Sequence, residues 1–72
     1  MVESKLNDED FEFAQKLRMF NEPLTLDEIA ERLGMGRAEV ERRMLRLVKA
    51  DVVKTFIRQN DKGELIAKYI IL

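Results

Sequence analysis

Four arginines fall within ten residues, Arg37, Arg42, Arg43 and Arg46, and Lys49 follows three positions later. A guanidinium group is planar and presents its N–H donors in a fixed fork, which suits it to a carboxylate, a phosphate or the O6/N7 edge of guanine. The chain offers little for making or breaking covalent bonds. It has no cysteine and no histidine, which excludes disulfides, thiolate nucleophiles, imidazole catalysis and ordinary zinc sites. The only serine, Ser4, has no histidine to activate it. Asp8, Glu9 and Asp10 are better read as helix-start carboxylates than as cation ligands, and Asn60 to Glu64 lacks the length and alternating ligands of a calcium loop. No catalytic residue, metal site, cofactor or small-molecule substrate is expected, and the chain is not expected to be an enzyme.

The arginines lie in the stretch Leu24 to Val53, which reads as two short helices around a glycine turn. Thr25 and Glu28 have the spacing of a capping box, with Leu24 and Ile29 placed as its hydrophobic staple. Leu26, Ile29, Ala30 and Leu33 then recur at helical spacing, predicting a helix over 26–33. Gly34 can take the left-handed conformation that stops it, and Gly36 can start the next helix, predicted over 37–50. On a helical wheel Val40, Met44, Leu47 and Val48 share one face, which should enter the core. Arg42, Lys49 and Arg46 fall roughly opposite, beside Ala38, Glu39 and Leu45. Arg37 and Arg43 sit on the flanks.

The remaining chain supports this pair. Residues 1–6 read as a frayed leader. A helix is expected over 8–20, with acids in its first turn and Lys16 and Arg18 near its end, as the helix dipole favours. Phe13, Leu17 and Phe20 line its inward face, and Phe11 and Met19 point elsewhere. Asn21-Glu22-Pro23 ends it, because the residue before a proline avoids the α region. Val52 to Arg58 and Glu64 to Leu72 are rich in β-branched and aromatic residues. Gln59 to Gly63 is a turn with glycine where a bulge needs positive φ, so a hairpin is expected over 52–71. The expected core is Phe13, Leu17, Phe20, Ile29, Leu33, Val40, Met44, Leu47 and one face of the hairpin. The fold class is therefore α+β: a three-helix bundle with a C-terminal β-hairpin, one small domain over 1–72.

The pattern A-E-R-L-G-x-x-R-A-x-V-x-R-x-x-x-x-L-x-x-A-x-V-V, from Ala30 to Val53, resembles the helix-turn-helix of winged-helix proteins. The resemblance implies that helix 37–50 is a recognition helix facing a DNA major groove, that the hairpin is the wing, and that Leu24 pairs briefly with it as a short first strand. It also implies double-stranded DNA as the partner and transcription regulation as the role. Arg42 and Arg46 would meet base edges or phosphates, Arg37 and Arg43 would position the backbone, Ala38 would let the helix approach, and Lys62 of the wing would touch the flanking groove. Ala50-Asp51 stands where the family commonly has Ala-Gly.

Charge distribution agrees with a local interface. The net charge is −1, but residues 1–35 carry 4 Lys/Arg against 9 Asp/Glu, and residues 36–72 carry 9 against 5. Polyanion binding depends on such a local excess more than on the total. Against DNA, Glu39 and Glu41 can pair with Arg43 and Arg37 at i,i+4 and tie up part of the positive charge. Glu39 can alternatively accept from cytosine N4. Leu45 on the outward face and the apolar run Tyr69 to Leu72 suit a protein contact, with Leu45, Ile70 and Leu72 as its candidate residues and a homodimer as its simplest form. The alternative reading is therefore a winged-helix protein-interaction module, or a domain cut from a larger protein. No apolar run approaches the 18 or more residues of a spanning helix, and the first ten residues lack a signal peptide's apolar segment. A cytoplasmic location is expected.

Overall fold

Paired caps begin the first two helices of the computed structural model, which describes residues 6–72. The elements are α1 (Asp8–Arg18), α2 (Leu26–Leu33), α3 (Arg37–Lys49), β1 (Val53–Gln59) and β2 (Leu65–Ile71). At α2 the Thr25 hydroxyl accepts from the Glu28 N–H at 3.1 Å, and Glu28 Oε1 accepts from the Thr25 N–H at 2.9 Å. At α1 the same reciprocal bonds join Asn7 and Asp10, at 2.8 and 3.1 Å. Each box satisfies donors that a helix start leaves unpaired.

The ends explain where the boundaries differ from expectation. α1 stops at Arg18, two residues short of the predicted 20, because the Phe20 N–H closes a turn onto the Leu17 carbonyl and Asn21 adopts φ +54. α2 ends at Gly34, φ +67, where the Gly34 and Met35 N–H groups reach back to the carbonyls of Glu31 and Ala30. α3 ends one residue before the predicted 50, with the same pair of bonds: Asp51 N–H to Val48 and Val52 N–H to Leu47. This geometry needs a left-handed residue, and here Asp51 supplies it at φ +63. Because a Cβ is strained there, Asp51→Gly is expected to stabilise the fold by about 0.5–1 kcal/mol. Thermal melting should show a rise of a few degrees, and a fall in Tm would contradict the assignment.

β1 and β2 pair antiparallel, with Val53 opposite Ile71 and Gln59 opposite Leu65. The loop between them is held by Asn60, whose Oδ1 accepts from the N–H groups of Lys62 and Glu64 at 2.9 and 2.8 Å. Gly63, φ +83, completes the turn. Leu24 adds a single antiparallel bridge to Tyr69, with both N–H groups donating across at 3.0 and 2.8 Å.

The core comprises Phe13, Leu17, Leu24, Ile29, Ala30, Val40, Met44, Leu47 and Val53. Its largest aliphatic members each contribute about 1.5–3 kcal/mol by burial. Phe20 and Leu33, expected inside, are half-buried against its edge, and the Phe20 ring lies 5.4 Å beneath the Arg32 guanidinium. Val48, expected inward, is exposed; it lies at the margin of the α3 stripe, and so small a core covers only the centre of that stripe. Leu6, expected in a frayed leader, packs against the core. Residues 1–5, including Ser4, lie outside the described residues.

Candidate nucleic-acid interface

α3 is placed by its inward stripe: Val40, Met44 and Leu47 are buried against α1, α2 and β1. The opposite side leaves Ala38, Glu41, Arg42, Leu45 and Lys49 exposed. An open cleft of about 380 Å³ runs between this side and the start of α1, lined by Asn7, Glu9, Asp10, Arg42, Arg46 and Lys49 among others.

Three of the four arginines meet carboxylates of the chain itself. Arg37 lies 2.8 Å from Asp27 at the start of α2, and 3.9 Å from Glu41. Arg43 donates from Nε and Nη2 to Oε2 of Glu39, at 3.1 and 3.0 Å, and approaches Glu9 of α1 at 3.7 Å. Arg46 donates from Nε to Oδ2 of Asp10 at 2.8 Å. Arg42 makes no ion pair or hydrogen bond with any of the described residues, and it projects from the middle of the exposed side. The two i,i+4 pairs, Glu39 with Arg43 and Arg37 with Glu41, are those that the spacing allows. The cross-helix carboxylates Glu9, Asp10 and Asp27 are additions that spacing along α3 alone does not show.

Asp10 has a different role from its neighbours Asp8 and Glu9. It is only 2% exposed, whereas the side chain of its partner Arg46 is 47% exposed. Burial alone would raise the Asp10 carboxyl. The Asn7 N–H, the Arg46 hydrogen bond and the charges of Arg46 and Arg43 outweigh it and hold the group below its usual value of 3.8. Asp10 is thus a fixed anion that ties the first turn of α1 to α3. The sequence carried a signal for this in the N-x-x-D spacing of Asn7 and Asp10, which matches a helix-start box.

The other candidate residues are scattered. Lys62 is exposed at the hairpin tip, and Lys54, on β1, lies 5.3 Å over the Phe56 ring. Leu45 is 54% exposed on the outward side of α3, away from Ile70, which is half-buried on β2, and Leu72, which is exposed. Exposed Ile57 and Leu65 lie farther along the hairpin, towards its tip. Among the described residues no group of three or more His, Cys, Asp or Glu is placed to hold a metal, and no helix is long and apolar enough to cross a membrane.

Three helices, a glycine turn between the second and third, a bridging Leu24 and a terminal hairpin define a winged helix-turn-helix. A family profile described as winged helix-turn-helix DNA-binding matches residues 20–54, from the turn after α1 into β1. The chain is also similar in structure to a "possible transcriptional regulator" from Methanosarcina mazei Go1, with a TM-score of 0.76 at 19% identity. That match takes in 96% of this chain and 58% of the other, so this chain spans under two thirds of that protein, and at this identity the likeness concerns fold. No curated protein matches the sequence.

Proposed function

We propose that this protein binds double-stranded DNA in the cytoplasm as a transcription regulator, with the N-terminal half of α3 in the major groove. The carrying observation is that the helix occupying the recognition position in the family match presents Arg42 outward, between Ala38 and Leu45, with no ion pair or hydrogen bond to any of the described residues. In this reading Arg42 reaches a guanine edge or a phosphate, and Ala38 and Leu45 lie against thymine methyls. Arg37, Arg43 and Arg46 flank this stripe towards the phosphate backbones, and Lys62 touches the next groove. Binding by one copy should be modest, because carboxylates already engage three of the arginines.

The test is a titration of labelled random duplex at two salt concentrations, beside a sedimentation measurement of mass. The affinity should fall steeply with salt, with a log–log slope of about −2 to −4 for a handful of phosphate contacts. A flat response would sink the DNA reading. The exposed Leu45 favours a second reading, a protein-interaction winged helix, with homodimerisation through Leu45, or through Ile70 and Leu72, as its simplest form. A sedimenting mass of two chains that falls to one on Leu45→Glu or Leu72→Glu, with no duplex bound, would establish it instead.

A further inference from the structure

The ion pairs around α3 are unequally distributed. The central arginine of the exposed stripe, Arg42, has no partner among the described residues, whereas the flanking Arg37 and Arg43 are each held by one carboxylate on their own helix and one from another helix. Glu9 and Asp27 are well exposed, with side chains 72% and 77% accessible, so neither is needed to fill the core. Flanking arginines make the sequence-independent phosphate contacts, and central ones read base edges. Carboxylates placed only at the flanks therefore weaken one class of contact and spare the other.

We propose that Glu9 and Asp27 are specificity-determining residues of the α3 surface, occupying Arg43 and Arg37 so that phosphate contact is weak and discrimination rests on the stripe Ala38, Arg42 and Leu45. The inference rests on the DNA reading above. A phosphate that displaces a carboxylate from an arginine frees an anion, and that anion recaptures a counterion. Each such exchange lowers the net counterion release, so the chain shows a shallower salt dependence than its arginine count implies. Non-specific affinity is suppressed by charges that leave base contact untouched, which raises the ratio of specific to random binding.

The variants Glu9→Gln and Asp27→Asn test this against Glu22→Gln, which removes the same charge from an ion pair of the same kind, Arg32 with Glu22 at 3.1 Å, outside α3. Two probes are used: random duplex, and duplex selected by the parent protein from a random pool. Glu9→Gln and Asp27→Asn should each bind random duplex about 2- to 5-fold more tightly, as expected for release of one ion pair whose carboxylate is exposed. Each should steepen the salt slope by up to about 0.9 and narrow the preference for the selected duplex. Glu22→Gln should do neither. Parent-like affinity and slope in both α3-facing variants, or an equal gain in Glu22→Gln, overturns the proposal while leaving the DNA reading intact. If neither the parent nor any variant binds duplex, the DNA reading itself fails and this proposal fails with it.

Discussion

Arg42→Ala is expected to weaken duplex binding about 5- to 150-fold, a loss of about 1–3 kcal/mol, without measurable change in Tm. The separation of the two effects follows from its surroundings: the side chain is exposed and makes no ion pair or hydrogen bond with the described residues, so removing it takes nothing from the folded state. If Arg42 reads a base edge, the loss should be larger on selected duplex than on random duplex. Arg46→Ala provides the contrast. Its partner is a buried carboxylate, so that variant should lose stability before any effect on binding can be read. Fluorescence anisotropy beside thermal melting distinguishes the cases, and a parent-like affinity for Arg42→Ala would remove the central contact from the scheme.

Asp10→Asn is expected to destabilise the fold by about 1.5–3 kcal/mol, the range for losing hydrogen bonds to a charged group. A chain of this length has roughly 4–11 kcal/mol in total, so Tm should fall by several degrees per kcal/mol lost. The pH dependence provides a second signature. The carboxyl titrates lower in the folded chain than in the unfolded one, so its contribution is complete above its usual value of 3.8 and is lost as pH falls through the depressed value. Glu28, held below its usual 4.5 chiefly by the Thr25 N–H, acts in the same direction. The parent should therefore lose stability as pH drops below about 4, and Asp10→Asn should lose less over the same interval. Denaturant titrations between pH 7 and pH 2.5 measure this, and parallel acid limbs would show that Asp10 is not the linked group.

Local signals in the sequence were legible because each acts over one helical turn or one hairpin. Thr25 with Glu28, Gly34 at a left-handed stop, and Gly63 at positive φ stand where residue chemistry alone puts them. The inward face of α3 was equally readable at Val40, Met44 and Leu47. Its margin was not, since Val48 depends on how far a neighbouring element reaches. The candidate site was legible as a set of arginines but not as an electrostatic surface. Arg37 meets Asp27 of α2, and Arg43 and Arg46 meet Glu9 and Asp10 of α1, through helix crossings that no spacing along α3 contains.

The two donors that converge on Asp10 Oδ2 come from distant parts of the chain: the Asn7 N–H at 3.1 Å and Arg46 Nε at 2.8 Å, with 36 residues separating Asp10 from Arg46. Unwinding of the first turn of α1 breaks the box and withdraws the anion from Arg46. The two segments should thus open as one cooperative unit, with amide protons in both exchanging at a common rate. Whatever tightens or loosens the beginning of the folded chain would then alter how rigidly the third helix is held.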